Sequence, residues 1–301
     1  MKKKEILFFG LSVVFMLAMP LQSVADDHVR GDVDEDGTVT IGDVACLIDY
    51  LLNGQWDPKP ERMTVTVGDV SFVMVKVEGG TYTTGAIDNA EAYEWELSAH
   101  EVTLPSYWIA ETEVTQELWQ AVMNDNPSHF KGDMKRPVES VSWISCQEFV
   151  DRLNALTGLS FSLPTCEQWE VAARGGNLGQ GYLYAGSNNI KEVAWYDVNS
   201  YWVGAGHPNY GTHAVATKVP NELGLYDMSG NVHEWCLDSY SEYCNAAHEN
   251  LVDAEIGAYH VLRGGCWSSE ERRCRVSYFN FTEPGTSSST VGLRLAMKAE
   301  Q

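Results

Sequence analysis

The second half of the chain gives a fold little regular structure to build on. From 177 to 301 the sequence is dense in Gly, Asn, Ser and aromatic residues and loses any sustained helix or strand period. So few regular elements over so many residues imply an α+β domain held by its loops, by disulfides or by ions. Ten Trp and fourteen Tyr point to a rim of aromatic loops and not to a plain helical core. With 301 residues, 44% of them hydrophobic and 21% charged, the chain suffices for one large domain or a large and a small one.

The regular elements sit in the first half. Residues 71–86, SFVMVKVEGGTYTTGA, alternate apolar and polar and then turn at Gly79 and Gly80, as strands do. Residues 100–115 give two more short strands. Thr115 can cap a helix over QELWQAVM. Ser142 opens a second helix, in which Cys146, Phe149, Val150 and Leu153 share one face and Gly158 is a stop. A third starts in LPTCEQWEVAARGG, where Thr165 and Gln168 form a capping box and Gly175 ends the run.

Residues 1–25 read as a segment removed on export. Lys2, Lys3 and Lys4 precede an apolar run over 6–21, and Ser23, Val24 and Ala25 make a small-residue cleavage site before Asp26. The run is short for a spanning helix, so no integral membrane segment is expected after cleavage. The protein is expected to be secreted, periplasmic or at the cell surface. Losing three Lys and one Glu takes the formal net charge from −22 to −24. That acidity favours solubility and excludes nucleic acid as a partner. Seven cysteines in an exported chain permit disulfides, and the odd count leaves at least one free, capped or paired with another molecule.

GDVDEDGTVTIGD follows at 31–43. Asp32, Asp34, Asp36, Thr38 and Asp43 stand at the first, third, fifth, seventh and twelfth positions of a calcium loop, with Gly37 at the sixth. Alternate side chains turn inward on one cation, Thr38 adds its carbonyl, and Gly37 allows the reversal. Asp43 replaces the usual Glu. Val44, Leu47, Ile48, Leu51 and Leu52 then mark one apolar helical stripe. A calcium loop with one following helix resembles a dockerin type I repeat, over 26–54, which implies a cohesin-like module as partner. A calcium-stiffened spacer is the other reading. Residues 55–64, with two Pro, read as a linker to a domain at 65–301.

Within that domain MVKVEGGTYTTGA, VTQELWQAVM, PVESVSW, LPTCEQWEVAARGG, GLYDMSGNVHEW, LRGGCW and VGLRLA occur in this order. Together they resemble the formylglycine-generating enzyme, or sulfatase-modifying factor, family over residues 65–298. The resemblance implies a loop-rich domain of C-type-lectin-like fold stabilised by calcium. It also implies an oxidoreductase that converts a sulfatase cysteine to formylglycine, using oxygen and a copper(I) ion. Two soft thiolates hold that ion. On the family's pattern Cys266 stands where a Ser is typical and Ser269 where a copper thiolate is typical. Cys274 matches a further, structural cysteine.

Three readings of Cys266 and Cys274 follow. They bond each other or separate structural partners, with Cys166 a candidate partner for Cys266. Or the domain is a non-catalytic, lectin-like surface module that binds a protein or glycan. Or Cys266, alone or with Cys274, works as a displaced catalytic thiol. The resemblance also assigns calcium to the side chains of Asn231 and Glu234 with the carbonyls of Gly230 and Val232. The alternative there is a turn in which Asn231 caps its own backbone. Ser269 and Trp235 are placed in a substrate pocket, Trp235 being equally readable as a core residue. Trp195 occupies the place of a second calcium ligand, which implies that this second site is absent. Arg174 and Arg294 read as loop-holding groups. No HExxH, phosphate loop, nucleotide fingerprint or GxSxG occurs. His207 and His213, in a Gly-rich loop, are expected at the surface.

Overall fold

The structure is a computed structural model that describes residues 59–86, 92–93, 96, 99–240 and 259–299. The segment 1–25, the calcium loop at 32–43 and its helix lie outside the described residues.

β1 (Arg62–Val67) and β2 (Val70–Val77) form an antiparallel hairpin, with Val67 facing Val70 across the turn. Gly68 takes φ 60° there, a conformation a side chain disfavours. β1 begins inside the stretch expected as a linker. Alternation decides this: Val65 and Val67 are buried while Thr64 and Thr66 are exposed. β3 (Gly80–Thr84) and β4 (His100–Leu104) make a separate ribbon, and β5 (Tyr107–Ala110) returns to β2. Next to β5 lies β11 (Ala296–Lys298), and beyond it β6 (Phe161–Ser162), which completes a five-stranded sheet. A second sheet orders β10 (Val291–Gly292), β7 (His233–Ser239), β8 (His260–Arg263) and β9 (Phe279–Thr282). The mixed, loop-rich α+β character expected of the sequence is what the structure shows.

The helices start where their caps place them. α1 (Gln116–Met123) is capped by Thr115, whose hydroxyl accepts from the Leu118 amide. α2 (Trp143–Thr157) opens on a Ser142–Ser145 capping box and ends at Gly158, φ 72°. α3 (Cys166–Ala173) opens on the Thr165–Gln168 box. Such caps satisfy amides that have no partner inside the helix. α1 and α2 pack against the first sheet around Trp119, Phe149, Leu153 and Leu293. α3 packs in a second cluster with Val75, Ile109, Trp169, Cys236 and Phe279. Among the described residues no helix is long and apolar enough to cross a membrane.

Cys146, Cys166, Cys236, Cys266 and Cys274 are buried and, in this structure, free thiols. Buried ion pairs tie the loops together. Glu170, fully buried, takes Arg174 on one oxygen and Arg263 on the other, and also accepts the Gly85 amide. Glu96 pairs with buried Arg275. Arg294 binds Glu234 and donates to the carbonyls of Ala110 and Tyr226. Arg174 and Arg294 thus hold loops by charge-assisted hydrogen bonds, as read from the sequence.

Candidate functional site

Cys266 lies in a tight turn just after β8, preceded by Gly264 (φ 89°) and Gly265 (φ 74°). Its amide donates to Ser269 Oγ at 3.0 Å, and the Ser269 amide donates back to its carbonyl at 2.9 Å. Its sulfur sits 3.2 Å from Ser269 Oγ and 3.4 Å from Ser268 Oγ. The turn is fixed to the start of β7, because the Trp267 amide donates to the Asn231 carbonyl at 2.7 Å. His233, the first residue of β7, faces the same thiol. Burial pushes the Cys266 thiol up, but the charge of the facing His233 and the contacts with the Ser268 and Ser269 hydroxyls outweigh it and bring it down to about 7.

Cys274 is not its partner. The 3₁₀ turn Glu271–Cys274 sends its sulfur into an apolar cluster with Tyr184, Ile190, Val193 and Tyr196. Burial first, then the charges of Cys266, Asp197 and Glu271, push that thiol well up. A protonated thiol in apolar surroundings is inert. Cys166 does not reach Cys266 either; it lies against Cys236 in the second core cluster.

Beside the Cys266 turn is an aromatic group. Trp267 packs edge-on to Phe130 at 5.1 Å and to Tyr210 at 5.2 Å between ring centres, with Tyr201 at 5.8 Å. Tyr201 closes a short π-helical turn, Asp197–Tyr201, whose first amide donates to the Ser269 carbonyl. Trp202, next in the chain, is 71% exposed. Aromatic side chains therefore run from the thiol turn to the surface.

The segment assigned to calcium is built into the core. Asn231 Nδ2 donates to Glu113 Oε2 at 2.7 Å, its Oδ1 accepts the His213 amide, and the Val232 amide donates to Glu113 Oε1. Both oxygens of Glu234 are taken by Arg294, and Oε2 also accepts Trp169 Nε1 at 2.6 Å. A dication here has to compete with a guanidinium already in place. Trp235 has no exposed surface, and its indole nitrogen donates to the Val141 carbonyl. It belongs to the core, with no face to offer a bound peptide, whereas Ser269 stays at the Cys266 turn. Trp195 stacks on His213 at 3.6 Å with Lys218 over its ring. His213 is therefore half-buried, not at the surface as expected, and burial brings it down to about 4. His207 is exposed.

Residues 64–299 match the sulfatase-modifying factor enzyme 1-like domain. The chain belongs to this family. Its relatives include the chaperone protein LppX of Paenibacillus barcinonensis, 32% identical over 69% of this chain and 83% of the relative. The formylglycine-generating enzyme of Thermomonospora curvata is 30% identical over 71% of this chain and 75% of the enzyme. The inactive C-alpha-formylglycine-generating enzyme 2 of Bos taurus is 31% identical over 57% of this chain and 54% of that protein. Among solved structures, Treponema denticola variable protein 1 superposes with a TM-score of 0.66 at 31% identity, covering 80% of this chain and all of that one. The family therefore holds members named as active and members named as inactive.

The family's copper(I) ion needs two thiolates. At the Cys266 turn one sulfur faces two hydroxyls, and burial keeps the nearby thiol of Cys274 protonated. That donor set does not fit the ion. Among the described residues no group of three or more His, Cys, Asp and Glu side chains is placed to hold a metal. Sequence reading found Cys266 and Ser269 but missed His233, although it stands inside the quoted SGNVHEW. Its signal was position alone, since nothing in spacing tells that β7 runs beside the turn at 266.

The acidified thiol is testable. Its value lies below the ordinary one, so ionised Cys266 favours the folded state. That contribution is present above about pH 9 and is lost as pH falls through about 7. The thiolate ultraviolet absorbance of folded protein is expected to rise with a midpoint near 7, and Cys266→Ser to remove that step. If both proteins titrate alike, the acidified thiol is disproved.

Proposed function

We propose that this chain is an exported, partner-binding member of the sulfatase-modifying factor family that does not oxidise substrate cysteines through copper. One observation carries the reading: a hydroxyl, Ser269 Oγ, stands where the family pattern has a thiolate, and it is hydrogen-bonded to the Cys266 amide and in contact with the Cys266 sulfur. The aromatic group beside it, with Trp202 exposed, supplies rigid amphipathic surface of the kind that recognises proteins and glycans. A relative named as a chaperone supports a protein as the partner. Export rests on the pattern of residues 1–25, and calcium with a cohesin-like partner rests on Asp32, Asp34, Asp36, Thr38 and Asp43.

Two arms test this. Protein incubated with copper(I), oxygen and a peptide containing Cys-x-Pro-x-Arg is expected to leave the peptide mass unchanged; conversion of its thiol to an aldehyde overturns the reading. A photo-cross-linker placed at Trp202 is expected to give a discrete protein adduct in the producing cells, and no adduct overturns the binding half.

A further inference from the structure

We infer that Cys166 and Cys236 form a disulfide that stitches the start of α3 to β7. Cys166 is the first residue of α3 and Cys236 lies mid-way along β7. The two main chains are locked together beside both residues. The Leu237 amide donates to the Pro164 carbonyl at 2.9 Å, and the Cys166 amide donates to Asp238 Oδ2 at 2.6 Å. Both side chains are fully buried in one apolar cluster with Trp169, Val261 and Phe279. Their thiols, free in this structure, are close enough to interact, Cys236 helping to raise the Cys166 thiol. Backbones already held this close need little movement to reach the bonded geometry.

The other described cysteines are elsewhere. Cys146 is in the α1–α2 cluster, Cys274 is among Tyr184 and Tyr196, and Cys266 faces its two serines. Position therefore selects this pair from several candidates.

Forming the bond breaks two S–H bonds and makes one S–S bond. Two electrons pass to a disulfide oxidant, such as glutathione disulfide, and the two protons end on the two thiols it becomes. Timing follows from burial. In the folded, reduced protein burial and the neighbouring Cys236 push the Cys166 thiol well up, so little thiolate is present to attack. The bond therefore closes during folding, before the cluster seals, and afterwards resists reductants excluded from the core.

The test is refolding of the full chain, reduced and unfolded, with a glutathione redox pair or with dithiothreitol. Remaining thiols are then alkylated, and the protein is cut with trypsin and chymotrypsin so that Cys236 and Cys244 separate. The expected product is a peptide joining Cys166 to Cys236, found only in the glutathione arm. Either cysteine joined to another, or both alkylated, overturns the inference. Melting is the second readout. Reduction of the oxidised protein in denaturant, followed by refolding in dithiothreitol, is expected to lower Tm by roughly 5–10 °C, and the Cys166→Ala/Cys236→Ala protein to be insensitive to the same treatment. An equal response in both overturns the assignment. Because the oxidant is supplied in the tube, the result does not depend on whether the chain is exported.

Discussion

Arg294→Met is expected to destabilise the domain by about 3–5 kcal/mol, the usual cost of leaving one buried charge without its partner. Four groups depend on this guanidinium: both oxygens of Glu234 and the carbonyls of Ala110 and Tyr226. Methionine fills much of the volume and replaces none of the donors. Among the described residues Glu234 then keeps only the Trp169 indole as a partner, in a fully buried site. Urea or thermal unfolding measures the loss, which corresponds to roughly 10 °C in Tm for a domain of this size. The paired variant Arg294→Met/Glu234→Gln is expected to recover part of it, because both charges then leave together. A single-variant loss under about 1 kcal/mol, the range of exposed pairs, would refute the argument that this pair organises the core.

Asp227→Asn should do the opposite, and in a pH-dependent way. Burial pushes the Asp227 carboxyl up to about 6, against the Ala216 amide and Arg294, which pull it down. One oxygen accepts the Ala216 amide at 2.8 Å, and the other has no hydrogen-bond partner among the described residues. The proton-bound form therefore favours folding. Its contribution is complete below about pH 4 and is lost as pH rises through about 6. Asparagine cannot ionise. The stability difference should move in favour of the variant between these two pH values and then level off, by up to about 3 kcal/mol in total. Urea denaturation of both proteins across pH 4 to 7 is the measurement, and a difference that stays constant with pH would sink the prediction. Glu113, which burial, Asp227 and Glu234 push up together, should lose part of its shift in the variant.

What could be read in the sequence was what is local. Thr115, Ser142 and Thr165 cap their helices by reaching amides three residues ahead, so a short window contains the whole interaction. The ordered blocks from MVKVEGG to VGLRLA identified the family because the same strands and turns recur in it. The serine hydroxyl in place of a thiolate was legible for the same reason. The charge clusters were not. Glu113 meets Asn231, Glu170 meets Arg263, and Cys166 meets Cys236 only because β5, α3, β7 and β8 converge in space. No periodicity encodes such meetings. Trp235 shows the limit from the other side, since one aromatic in a pocket motif reads alike whether it faces a ligand or the core.

The place of β11 in the first sheet bears on what the domain loses without it. β6 hydrogen-bonds to β11, and β11 bridges it to β5, so residues 296–298 are the link that joins the N-terminal hairpin to Phe161. Arg294, two residues earlier, secures Glu234. A chain without residues 294–298 therefore holds a sheet with a gap in its middle and a buried acid without its cation. Loss of these five residues removes more than their number suggests.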